Sequence, residues 1–300
     1  MWKDLLQQIQ QGNIKSLART ISFIENEEPG YIEMLRSINH SSTANVIGIT
    51  GPPGAGKSTL VDLLIGSFVH SGKKVAVLCV DPSSPFNLGA LLGDRIRMSE
   101  WYTHPNVFIR SLATRGSMGG LHPKIIEITD LLKAAAFDTI IIETVGVGQS
   151  EIEIAGLADT TVVVVVPEAG DEVQTMKAGL MEIADVFVVN KSDRPDADLF
   201  VKNLRLMLAP AFHSNKQEIP VIKTVATEKK GIDDLVIAIQ NHNIAAGDNE
   251  KRTWLLAEKA WQLIVKKKMK TLPKEKIREM ILSQKNQPNF NLYSFVDQLQ

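Results

Sequence analysis

Val46-Ile-Gly-Ile-Thr50 runs directly into Gly51-Pro52-Pro53-Gly54-Ala55-Gly56-Lys57-Ser58-Thr59, an apolar stretch followed by a match to G-x-x-x-x-G-K-[ST]. The first five residues read as a buried strand, and the residues from Thr59 onward as a helix. That is the setting such a loop requires. Its glycines let successive backbone N–H groups face a chain of phosphates, and the helix start adds its positive end. Lys57 has the reach for β- and γ-phosphates, and the Ser58 hydroxyl oxygen can coordinate Mg²⁺. The stretch predicts an α/β P-loop protein that binds a nucleoside triphosphate.

Downstream of the loop, short β-rich runs alternate with helical patterns. The predicted strands are Val46–Thr50, Val75–Val80, Val107–Arg110, Thr139–Glu143, Thr161–Val166, Val186–Val189 and Val221–Thr224. Their apolar residues are mostly contiguous, as expected where helices cover both sheet faces. Helices are predicted over Lys57–His70, Pro123–Ala136, Glu172–Ile183, Asp198–Leu208 and Ile232–Gln240, with Pro123 suited to a first helical position. This alternation predicts a mostly parallel sheet covered by helices on both faces. Leu5, Leu6, Ile9, Ile14, Leu17 and Ile21 recur at helical spacing before it, and Trp254, Ala257, Trp261 and Ile264 after it. The expected organisation is an N-terminal helical extension at 1–40, a P-loop domain at 41–245 and a C-terminal helical segment at 246–300, the last a candidate dimerisation arm.

Composition narrows the class. The 300 residues are 44% hydrophobic and 22% charged, which excludes collagen-like, mucin-like and wholly disordered chains. Lys plus Arg number 33 against 34 Asp plus Glu, so nothing global draws the chain to nucleic acid or anionic lipid. The basic stretch Lys266–Lys276 is interleaved with Glu258, Glu275 and Glu279 and reads as a solvated helix face; neither a nucleic-acid nor a membrane partner is expected. The single cysteine, Cys79, excludes an internal disulfide framework and a Cys-based metal site. The run Thr161–Val166 falls far short of the ~20 residues of a membrane span. The first ten residues lack a signal peptide's apolar core, so a cytoplasmic protein is expected.

Two further elements select the nucleotide and its metal. Asn190-Lys191-Ser192-Asp193 follows the strand Val186–Val189 and matches N-K-x-D. The Asp193 carboxylate can accept from guanine N1–H and the exocyclic amine, a donor pair that adenine lacks. Asn190 can tie this loop to the P-loop, and the Lys191 stem can lie over the purine. Val225-Ala226-Thr227 stands where a backbone N–H can reach guanine O6, although Val225 replaces the usual Ser. Glu143-Thr-Val-Gly146 occupies the place of D-x-x-G, with Glu143 for Mg²⁺ and the Gly146 N–H for the γ-phosphate. Asp81 and Asp94 are further acidic metal candidates. No Gln directly follows Gly146, since Gln149 is three residues on, so no residue is assigned to position the attacking water. The histidines form neither H-E-x-x-H nor D-x-H patterns.

Together these motifs resemble the MeaB/ArgK group, the GTPases associated with methylmalonyl-CoA mutase. The matching stretches are Gly51–Thr59, Val80-Asp-Pro-Ser-Ser84, Leu92-Gly-Asp-Arg-Ile-Arg-Met98, Arg110–Gly120, Glu143–Glu151, Gly170–Lys177 and Asn190–Asp193. The resemblance implies a homodimeric GTPase that escorts an adenosylcobalamin-dependent acyl-CoA mutase, gating cofactor loading and protecting that enzyme. It also implies Mg²⁺ held among Ser58, Asp81, Asp94 and Glu143, with Gln174 and Lys177 in a segment that signals to the partner. The cobalamin ligand motif D-x-H-x-x-G is absent from this chain, which assigns that cofactor to the partner. The alternative is a P-loop kinase or ATPase accessory to arginine/ornithine transport.

Overall fold

Contiguous β-branched runs supply the centre of the molecule. The computed structural model describes residues 2–38, 43–81, 98–114, 121–146, 150–167, 179–208, 218–245, 250–285 and 290–299. Among them are β1 (Asn45–Thr50), β2 (Val75–Asp81), β3 (Val107–Ala113), β4 (Thr139–Glu143), β5 (Thr160–Val165), β6 (Val186–Val189) and β7 (Val221–Lys223). They form one sheet in the order β3-β2-β4-β1-β5-β6-β7, every pairing parallel. The helices are α1 (Trp2–Gln10), α2 (Ile14–Glu25), α3 (Tyr31–Arg36), α4 (Lys57–His70), α5 (Ile125–Ala134), α6 (Ser150–Leu157), α7 (Gly179–Ile183), α8 (Ala197–Leu208), α9 (Ile232–Ala245), α10 (Glu250–Lys268), α11 (Lys274–Gln284) and α12 (Leu292–Asp297). The chain clusters into two units, Met1–Arg252 and Thr253–Gln300.

Strand alternation sends successive side chains to opposite faces. On one face Ile47, Ile49, Val77, Ile141, Val162 and Val188 bury against Leu60, Leu64 and Phe68 of α4 and Leu235 and Ile239 of α9. On the other, Val163, Val165, Phe187 and Val189 meet Leu180 of α7 and Val201, Leu204 and Leu208 of α8. Gly48 points to this second face and admits α6: a Cβ there would lie 2.6 Å from Ile154 Cγ1 and 3.1 Å from the Ala158 Cβ. Gly48→Ala is therefore expected to cost about 1–3 kcal/mol by overpacking, read as a lower midpoint in urea. An unchanged midpoint would show that α6 shifts freely.

Parallel strands need their register pinned at one end, and three aspartates do this. Asp138, Asp159 and Asp185 each directly precede a strand and accept from an N–H beside the start of a neighbouring strand. The bonds are Lys74 N–H to Asp138 Oδ2 (2.7 Å), Val46 N–H to Asp159 Oδ2 (2.8 Å) and Thr161 N–H to Asp185 Oδ2 (2.7 Å). The N-terminal helices belong to the same unit as the sheet. Arg110 of β3 donates to Ser22 and pairs with Glu25 of α2, and Lys124 pairs with Glu27 at 2.8 Å. Burial depresses the Lys124 ammonium, but the Glu27 hydrogen bond and the Glu127 charge prevail, holding its pKa above the usual lysine value.

Several boundaries differ from expectation for local reasons. Pro123 does not open a helix. His122 Nδ1 accepts the Lys124 N–H (3.1 Å) and the His122 carbonyl accepts the Ile125 N–H (2.9 Å), so a turn precedes α5. β3 continues three residues past Arg110 because pairing with β2 persists to Asp81↔Ala113. β7 stops before Thr224, whose hydroxyl turns toward Asn190. α9 runs beyond Gln240, to Ala245. Of the helix expected over Glu172–Ile183, the described part is α7.

Candidate functional site

All the described loop elements singled out in the sequence emerge at the carboxyl ends of the strands. β1 lies between β4 and β5, so the chain leaves it toward β2 on one side, whereas β5, β6 and β7 follow on the other. Ligands of open parallel sheets bind at such a reversal. The loop 51–56 sits there, with positive φ at Gly51 (135°), Gly54 (75°) and Gly56 (92°). Tertiary contacts enforce two of these glycines. A Cβ at Gly51 would stand 2.0 Å from the Val164 carbonyl oxygen, and one at Gly56 would stand 2.3 Å from Asn190 Nδ2. Pro53 and Gly54 make the loop's exposed turn, closed by the Ala55 N–H on the Pro52 carbonyl (3.3 Å).

Lys57 and Ser58 open α4 and are both buried. Lys57 Nζ donates to the Gly51 (2.9 Å) and Pro52 (3.1 Å) carbonyls, which centres the ammonium within its own loop. Thr59 follows in the first helical turn. Ser58 Oγ donates to Glu143 Oε1 at 2.7 Å, joining the start of α4 to the end of β4. Asp81 ends β2, which pairs with β4 through Cys79↔Glu143. Glu143 and Asp81 are only 3% and 4% exposed, so two carboxylates are buried at one sheet edge.

These donors fit a hard cation. A hydroxyl and carboxylate oxygens are what Mg²⁺ takes alongside water and phosphate oxygens. Among the described residues no group of three His, Cys, Asp or Glu side chains forms a metal cage. Gly146 lies against the same loop with φ 84°; a Cβ there would meet the Gly51 oxygen at 2.2 Å and Lys57 Nζ at 2.5 Å. Asp94, Gln149, Gln174 and Lys177 lie outside the described residues.

The base element is tied to the phosphate loop by side chains. Asn190, 2% exposed, donates from Nδ2 to the Ala55 carbonyl (2.8 Å). Its Oδ1 accepts from the Thr224 hydroxyl (3.0 Å) and the Ala226 N–H (3.2 Å). Lys191, in the left-handed region with φ 57°, donates from Nζ to the Gly54 carbonyl (2.8 Å). Asp193 is exposed at the loop tip. Lys230 has its pKa raised, chiefly by a hydrogen bond to Glu228, then by that residue's charge and by Asp193.

Val225 is buried and bridges to Lys230, and Thr227 is exposed on the following turn. Within this stretch, expected to offer a backbone N–H to guanine O6, the Ala226 N–H is engaged by Asn190 Oδ1. Sequence reasoning passed over Thr224 and Ser192, whose hydroxyl and N–H both reach the Thr224 carbonyl (3.0 and 3.1 Å). A hydroxyl residue just after the strand and before Val225 was the available signal.

A parallel α/β sheet with a glycine phosphate loop, a strand-end carboxylate on its serine and an N-K-x-D loop tied back to it defines a P-loop GTPase. Comparison with known proteins agrees. A family model described as "Methylmalonyl Co-A mutase-associated GTPase MeaB" matches residues 17–281, and the chain belongs to that family. A Pyrococcus abyssi protein named as a GTPase is 49% identical over 248 residues, spanning 81% of this chain and 76% of that protein. A fused isobutyryl-CoA mutase of Geobacillus kaustophilus is 35% identical over 267 residues, 83% of this chain but 24% of the mutase. Among solved structures, a LAO/AO transport system kinase superposes with a TM-score of 0.67 at 26% identity, covering 99% of this chain and 96% of that one.

Proposed function

We propose that this GTPase serves an adenosylcobalamin-dependent acyl-CoA mutase as a chaperone, gating cofactor loading and protecting the loaded enzyme. The observation that carries this reading is the fused isobutyryl-CoA mutase, in which a segment resembling most of this chain forms part of the mutase polypeptide. The family description, which names association with methylmalonyl-CoA mutase, supports it.

In this reading Lys57 and the N–H groups of residues 51–59 hold the GTP phosphates. Ser58, Glu143 and Asp81, with Asp94, hold Mg²⁺, which would neutralise charge on the β- and γ-oxygens. The Gly146 N–H faces the γ-phosphate; Asn190, Lys191 and Asp193 hold guanine, with Val225, Ala226 and Thr227 along its edge. The chain acts as a homodimer through its C-terminal helices, an assignment supported by the exposed Trp254, Trp261 and Ile264 on α10. Among the described residues no helix is long and apolar enough to cross a membrane.

The test is hydrolysis of GTP, with ATP as control, without and with a candidate mutase, on protein whose mass is read by light scattering. Slow GTP turnover by a dimer, accelerated by the mutase, is the expected result. GTP turnover indifferent to every mutase would sink the chaperone reading. The likeness to a LAO/AO transport system kinase supports a second reading, phosphoryl transfer accessory to amino-acid transport, and ATP turnover equal to GTP would favour it.

A further inference from the structure

We propose that a buried hydroxyl pair, Thr50 with Thr144, is a positioning device for GTP hydrolysis that holds the peptide 144–146 against the phosphate loop. The proposal rests on the nucleotide-site reading above. The β1–β4 ladder has its last registered pair at Ile49↔Glu143, one residue short of the loop. Two bonds extend the pairing past that point. The Thr144 N–H donates to the Ile49 carbonyl at 3.0 Å, and Thr144 Oγ1 donates to Thr50 Oγ1 at 2.9 Å. Thr50 is 0% exposed and Thr144 2%, so water does not compete for this bond.

Its neighbours give the pair a role in chemistry. Thr50 directly precedes Gly51. Thr144 lies between Glu143, which accepts from Ser58, and Gly146, which lies against the Gly51 carbonyl and Lys57 Nζ. The hydroxyl bond thus fixes the one stretch that carries both the metal-side carboxylate and the γ-phosphate-facing N–H. Small displacements of a positioned group cost rate more than they cost binding. The β-phosphate, held by residues 51–59, does not depend on that stretch. The pair therefore acts on the terminal phosphate, lowering kcat when lost while leaving GDP affinity in place.

Thr144→Val and Thr50→Val keep the side-chain shape and remove the bond. Each single variant leaves a buried hydroxyl facing a methyl group and is expected to melt lower, whereas the double variant replaces both partners and recovers stability. The expected result is kcat for GTP at least about tenfold lower in both singles and still lower in the double, with GDP affinity within about twofold of the parent. Thr144→Ser, which retains the hydroxyl, keeps kcat near the parent value. A double variant that regains parent kcat along with its melting temperature would reduce the pair to a structural contact and overturn the proposal. GDP affinity falling in step with kcat would overturn it equally. Failure of the nucleotide site itself shows separately, as parent protein that does not bind GDP.

Discussion

Lys57→Ala should abolish tight GTP binding while the protein stays folded. In the structure Lys57 is 7% exposed and its ammonium is bonded to two loop carbonyls, so it is already oriented at the centre of its loop. When phosphates occupy the loop, these donors make charge-assisted bonds, each worth about 1.5–3 kcal/mol. Losing two of them amounts to at least ~3 kcal/mol, a Kd roughly a hundredfold weaker or more. The alanine is the first residue of α4 and keeps its helical preference, and a buried charge is removed along with its two bonds. The melting temperature should therefore move by only about 2–4 °C. Titration with a fluorescent GTP analogue, beside a thermal melt, checks both halves. GTP affinity equal to the parent's would refute the phosphate site.

Asp193→Asn should remove the preference for guanine. A site built to accept hydrogen bonds from a base rejects one lacking those donors by about 10⁴–10⁵. Asp193 is held at the tip of a loop that Asn190 and Lys191 bolt to the P-loop through the Ala55 and Gly54 carbonyls, so its position survives the substitution. An amide there presents a donor to guanine's amine and loses one good acceptor. GTP affinity should fall by roughly two orders of magnitude, on the basis of two charge-assisted bonds at ~1.5 kcal/mol each. Xanthosine triphosphate, which carries a carbonyl where guanine has the amine, should gain. Competition among GTP, ATP and xanthosine triphosphate for a labelled nucleotide measures this. Intact GTP selectivity would show that another group reads the base.

Both predictions concern residues recognisable in the chain before folding, and the reason is local. A phosphate loop needs positive-φ glycines, a lysine and a hydroxyl at fixed offsets. Gly51, Gly54, Gly56, Lys57 and Ser58 therefore announce themselves within eight residues. Asn190-Lys191-Ser192-Asp193 is equally compact. The strands were legible because β6 is an unbroken apolar run and β4 holds three consecutive isoleucines, and the α4 boundaries because the loop ends where the helix must start. Boundaries slipped where a side chain intervened, as His122 does ahead of α5.

Contacts between distant segments were not legible. The order of strands, with β1 between β4 and β5, follows from which apolar faces pack beneath α4, α6 and α9, and the lengths of the intervening helices do not encode it. The three strand-leading aspartates gain their meaning only when Lys74, Val46 and Thr161 are brought beside them. Thr224 becomes part of the base loop because β7 pairs with β6, 34 residues after Asn190. Thr50 and Thr144 are 94 residues apart and meet only because their strands are neighbours. A motif states which chemical groups are available, since spacing along the backbone is covalent. Which of those groups share an oxygen, exclude water or press on a glycine is decided by packing, because burial and hydrogen-bond geometry exist only once the sheet has closed.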